Sequence, residues 1–108
     1  MQGVGQALME NVVYDPATGQ LVSASFQDYS MPRADQFCSF DVANNPTLTE
    51  KNPLGVKGVG EAGTIAAIPA VMNAVNDALA RVGAPYVEAP ATSEKVWHAS
   101  RAARNRRS

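Results

Sequence analysis

Apolar residues recur along the chain with more than one period, and each period predicts an element. Between residues 3 and 13, Val4, Leu8 and Val12 stand four apart beside Ala7 and Met9, which predicts a short amphipathic helix in spite of two early glycines. Tyr14-Asp15-Pro16-Ala17-Thr18-Gly19 then places Pro at the second position of a turn and Gly where a positive φ is wanted. From Leu21 to Tyr29 the period shifts to two, with Val22, Ala24 and Phe26 alternating with Ser23, Ser25 and Gln27. From Phe37 to Val42, Cys38, Phe40 and Val42 alternate with Ser39 and Asp41. Both runs predict strands with one buried face, and they make Cys38 a small buried residue.

The longest regular pattern lies further on. Ile65, Ile68, Met72, Val75, Leu79 and Val82 follow spacings of three and four and fall on one helical stripe, with Asn73, Asn76 and Asp77 away from it. Gly83 and Pro85 terminate this helix, and Pro69 inside it either kinks it or opens a fresh first turn. Tyr86-Val87-Glu88 is a short strand candidate. After Pro90, Thr92 or Ser93 caps a last helix containing Val96 and Trp97, the latter as a packing anchor, with His98 on the surface. The predicted fold class is therefore α+β: a small antiparallel sheet from residues 20–29 and 37–42, packed against a long helix at 62–82 and shorter terminal helices.

Composition narrows the function classes. The chain has 108 residues, 45% apolar and 18% charged, which is ordinary for one folded domain and offers no run of about 20 apolar residues to span a membrane. Its first residues lack the basic start and apolar stretch of a signal peptide, so a cytoplasmic location is expected. The formal net charge is −1, yet Arg101, Arg104, Arg106 and Arg107 put +4 on the last eight residues and leave −5 on residues 1–100. No aromatic residue interleaves with these arginines, so residues 101–108 read as a disordered basic tail after a domain at 1–100, with no nucleic-acid partner. One Cys and one His build neither a disulfide nor a metal site by themselves.

Candidate chemistry concentrates in residues 43–63, where Pro and Gly break every regular pattern over a stretch of about twenty residues that is usually functional when ordered. Gly58-Val59-Gly60-Glu61-Ala62-Gly63 matches the dinucleotide-binding G-x-G-x-x-G and precedes a helix. The residues before it do not form a buried strand, however, and Glu61 brings a negative charge to the helix start, where a pyrophosphate would sit. A second reading makes Glu61 the point of the loop: the glycines let the backbone press against a large rigid group while one carboxylate is presented as a general base. In a third, Glu61 only favours the helix N-terminus through the dipole.

At this loop, and from about residue 2 to 99, the sequence resembles the C-terminal part of the molybdenum-binding subunit of the xanthine dehydrogenase and aldehyde oxidase family, the molybdenum hydroxylases. The resemblance is collinear. It runs through Gln2-Gly3-Val4-Gly5-Gln6-Ala7-Leu8, Tyr14-Asp15, Gly19-Gln20-Leu21 and Asp28-Tyr29-Ser30-Met31-Pro32 to its most specific stretch, Asn52-Pro53-Leu54-Gly55-Val56-Lys57-Gly58-Val59-Gly60-Glu61-Ala62-Gly63. Asn73-Ala74-Val75-Asn76-Asp77-Ala78 and Pro90 to Trp97 extend it. Glu61-Ala62-Gly63 looks more like bacterial members than animal xanthine oxidases, where prolines follow the glutamate.

What the resemblance implies is specific. Glu61 would be the general base beside molybdenum, taking a proton as an aldehyde or N-heterocycle is hydroxylated with oxygen from water. Gln2 would lie against molybdopterin, of the cytosine dinucleotide type, and the backbone of Gly58, Val59 and Gly60 would approach the metal centre. No residue of this chain would ligate the metal. Iron–sulfur and FAD groups would belong to other subunits or domains, and the remainder of the molybdenum subunit would be a partner. The chain alone would then hold no cofactor and turn nothing over, with a surface left open to self-association. The alternative of another class is a non-catalytic interaction or assembly module.

Overall fold

The structure, a computed structural model, describes residues 1–106. Its elements in chain order are α1 (Gln2–Leu8), a single 3-10 turn (Ala34–Gln36), α2 (Ala62–Arg81) and α3 (Ser93–Asn105). The expected antiparallel sheet is absent. Among the described residues the only β pairing is one antiparallel bridge, Tyr14 to Leu21, closed by Val22 N–H donating to Val13 C=O at 2.8 Å. The turn between them follows the sequence: Gly19 has φ +72°, and the Asp15 carboxylate accepts from Ala17 N–H and Thr18 Oγ1, both at 2.9 Å.

The sheet fails for a physical reason. A period of two says which side chains share a face, but a strand forms only where a second strand takes its hydrogen bonds and a layer covers its apolar face. Here Val22, Phe26, Phe40 and Val42 are 53%, 91%, 54% and 88% exposed. Residues 25–29 are a turn instead, with Ser25 C=O accepting from the amides of Asp28 and Tyr29 and Ser25 Oγ donating to the Asp28 carboxylate. Cys38 is exposed rather than buried for the same reason.

Helix α2 matches its prediction within one residue and continues through Pro69, with Gly83 at φ +75° beyond its end. Its stripe is buried only in the middle. Met72 and Leu79 are covered, while Ile65 and Val82 at the two ends are 61% and 45% exposed. Helix α1 is shorter than predicted and buries Gly3, Gly5 and Ala7 rather than its larger apolar residues. An added Cβ at Gly3 would stand 2.7 Å from Ala67 Cβ and 2.8 Å from Thr64 C=O, so the absent side chain is what lets the backbones of α1 and α2 meet.

Helix α3 starts as predicted, with Thr92 Oγ1 accepting from Lys95 N–H at 3.4 Å. It runs on through Arg101 and Arg104 to Asn105, so the basic stretch expected to be disordered is helical that far; Arg107 lies outside the described residues. Trp97 does not anchor a core. It is half exposed, with the Arg101 guanidinium 5.0 Å from its ring centroid and the His98 ring edge-on to it. Tyr86-Val87-Glu88 forms no strand. Asn76, read as lying off the buried stripe, is instead half-buried: its carboxamide donates to Val87 C=O at 3.0 Å and accepts from Val87 N–H at 2.8 Å. Its Nδ2 also donates to Met72 C=O.

The core assembled this way consists of Ala7, Met72, Leu79, Val87, Ala91 and Ala99, and among the described residues no large side chain is fully buried. The molecule is long, 60 × 39 × 27 Å, with a radius of gyration of 18.5 Å against about 13 Å for a self-contained domain of this length. Its accessible surface of 8,689 Å² exceeds the roughly 5,800 Å² expected of a folded monomer of this mass. The excess of nearly 3,000 Å² on this one chain is at least the area, roughly 1,000–2,500 Å², that each partner gives to an obligate interface.

Candidate functional site

Gly3, next to Gln2 in α1, abuts Thr64 and Ala67 of α2, which lie three and six residues beyond Glu61. Gln2 and Glu61 are both exposed.

A rigid turn leads into the glycine loop. Asn52 Oδ1 accepts from the amides of Leu54 and Val56 at 3.1 and 3.2 Å, and its Nδ2 donates to Val56 C=O at 2.9 Å. Gly55, at φ +66°, donates to Asn52 C=O and accepts from Thr49 N–H, with Leu48 packed over its Cα. Residues 49–56 thus form a self-bonded pedestal, and no strand precedes the glycine loop as the dinucleotide reading requires. Asn52 was named in the sequence only as part of a motif. An Asn-Pro-x-Gly run is an Asx-turn signal that identifies its role without a structure.

Past Val56 the internal bonding stops. The amides of Gly58, Val59 and Gly60 find no partner among the described residues, and the next loop bond is Ala62 N–H to Val59 C=O at 2.9 Å. At Gly58, Gly60 and Gly63 an added Cβ would meet nothing within 4 Å, and none of the three has a positive φ. Neither conformation nor packing within this chain demands glycine there.

Glu61 is the N-cap residue of α2, but its side chain makes no capping hydrogen bond; only its C=O serves the helix, accepting from Ile65 N–H at 3.1 Å. The carboxylate is exposed and makes no hydrogen bond, while its place at the α2 N-terminus still suits the helix dipole. Among the described residues, no group of three or more His, Cys, Asp or Glu is placed to hold a metal ion, and no helix is long and apolar enough to cross a membrane.

Residues 1–38, which include Gln2 and all of α1, match the molybdopterin cofactor-binding domain family. The chain belongs to the molybdenum hydroxylase family. It is 45% identical over 101 residues to the nicotine 6-hydroxylase large subunit of Paenarthrobacter nicotinovorans, covering 94% of this chain and 12% of that protein. It is 32% identical over 91 residues to the carbon monoxide dehydrogenase large chain of Afipia carboxidovorans, covering 84% and 11%. The crystal structure of quinoline 2-oxidoreductase from Pseudomonas putida 86 superposes with a TM-score of 0.83 at 36% identity, over 93% of this chain and 13% of that one. The chain therefore spans about one eighth of the length of the relatives it matches.

Proposed function

We propose that these residues form the C-terminal part of the molybdenum-binding subunit of a bacterial-type molybdenum hydroxylase, one that hydroxylates an aldehyde or N-heterocycle with water. In this reading Glu61 is the general base, and Gln2 with the backbone of Gly58, Val59 and Gly60 lines a molybdopterin cofactor of the cytosine dinucleotide type. The observation that carries it is the open glycine loop: free amides and empty Cβ positions at 58, 60 and 63, together with an uncapped carboxylate and the exposed Gln2.

The loop fits the group. Free N–H donors suit an oxygen-rich anionic cofactor, and glycines let a flat rigid body approach the backbone closely. When bound, the cofactor supplies the redox centre that accepts two electrons from the substrate, passed on to iron–sulfur and FAD partners. The contributions of this chain are simpler. Amides 58–60 bind and orient, the Gln2 carboxamide offers a donor and an acceptor, and Glu61 accepts the proton that the attacking water must lose. Covering the 57–61 loop with the rest of the subunit would exclude water from around the Glu61 carboxylate. Without that cover the chain is proposed to bind no cofactor and turn nothing over.

The test is Glu61→Gln in the assembled enzyme, which keeps size and removes the base. We expect activity to fall about 10²–10⁴-fold with molybdenum content unchanged; turnover within a few-fold of the parent would remove Glu61 from the mechanism. That second outcome favours the assembly-module reading, to which exposed large apolar side chains such as Phe26, Val42, Leu54 and Val59 lend weight.

A further inference from the structure

A residue that both donates to and accepts from one carboxamide must point its N–H and C=O the same way, which is the extended conformation. Val87 does this toward Asn76, at 2.8 and 3.0 Å. In an extended chain the neighbouring residues point their backbone groups to the opposite side, and the N–H and C=O of Tyr86 and Glu88 have no partner among the described residues. Tyr86 and Glu88, with Val87, line a groove of about 660 Å³ between this segment and α3, whose other walls include Glu94, Lys95 and His98. Tyr86 is 74% exposed. One side of this extended segment is satisfied by the Asn76 side chain; the other is unpaired.

We infer that residues 84–88 are the acceptor edge for an extended segment that adds to them as a β-strand. Its source is a part of the molybdenum-binding subunit outside these 108 residues. Main-chain bonds to Tyr86 and Glu88 supply the attachment. The groove carries Glu88 and Glu94 against the ammonium of Lys95; Glu94 faces His98 Nε2 at 3.9 Å, which leaves Glu88 as the carboxylate that an incoming lysine or arginine meets. The Tyr86 ring offers it an apolar flank. This also accounts for a strand-forming sequence, Tyr86-Val87-Glu88, that lacks a strand partner within the chain. The source of the segment rests on the functional reading above; the unpaired edge does not.

Amide hydrogen exchange decides it, comparing the isolated chain with material containing this chain purified from its native host. In the isolated chain Val87 is protected by Asn76, while Tyr86 and Glu88 exchange near the rate of an unstructured peptide. In the native material Tyr86 and Glu88 are expected to slow by at least a hundredfold. Fast exchange at both positions there overturns the proposal, whatever molybdenum content or the Glu61→Gln activity says of the catalytic reading. Protection that appears in the isolated chain and grows with concentration also overturns it, by making a second copy the occupant. Within the native material, the charge reversal Glu88→Lys should return exchange at Tyr86 at least tenfold toward the isolated rate; no change removes the basic residue from the partner.

Discussion

Two sets of glycines in this chain serve opposite ends. Gly3 sits where an added methyl would strike Ala67 and the Thr64 carbonyl, so its smallness is used up by the chain's own packing. Gly58, Gly60 and Gly63 sit where a methyl would touch nothing, in backbone that other residues can adopt. The first kind is a requirement of folding. The second has no packing or conformational explanation inside the chain, which is what the proposed approach of a cofactor to this loop would require.

Substitution tests the contrast directly. Gly3→Ala should cause the largest change, because the clash is with backbone as well as with a side chain. We expect a loss of roughly 1–3 kcal/mol, the usual scale of overpacking, read as a lower midpoint of helix melting by circular dichroism. Gly60→Ala should leave that midpoint within about 0.5 kcal/mol of the parent, as for an exposed site without special contacts. In the assembled enzyme the same change should lower molybdenum per chain several-fold; full loading with Gly60→Ala would erase the distinction between the two sets.

The smallest effect concerns how the end of α1 is held. Tyr29 Oη donates to Glu10 at 2.8 Å, and this bond to the carboxylate, chiefly, raises the Tyr29 pKa above its ordinary 10.0. A raised folded-state pKa means the contribution is complete below pH 10 and is lost as pH rises through the folded value. Asp15 has the opposite sign. Its bonds from Ala17 N–H and Thr18 Oγ1 lower it below 3.8, so the turn keeps its full contribution above that pH and loses it as pH falls through the depressed value. A titration by NMR should place the Asp15 midpoint below 3.8 and the Tyr29 midpoint above 10.0. Tyr29→Phe should abolish the alkaline loosening of the 25–32 loop while leaving α1 on α2.

These regions also differ in how far the sequence revealed them. Helix α2 was legible because six apolar residues at spacings of three and four fit no other element, and α3 because Thr92 is a good cap. The 14–19 turn followed from Pro16 and Gly19. The sheet was misread because Val22, Phe26, Phe40 and Val42 alternate as strand residues do, yet nothing in this chain covers them. Asn76 was placed on the polar side of α2, since periodicity registers that a residue is polar and not that its amide clamps a segment eleven residues away. Glu61 stood out from its loop alone, whereas Gln2 carried no pattern and entered only through family resemblance.

The stacking of Arg101 over Trp97 gives this chain a built-in optical gauge. Trp97 is its only indole and is half open to water, so its fluorescence reports the environment of α3 and of nothing else. Emission at long wavelength, quenched readily by added iodide, marks the uncovered helix; a shift to shorter wavelength marks its burial. Association of the chain with whatever covers α3 can be followed in real time without a label.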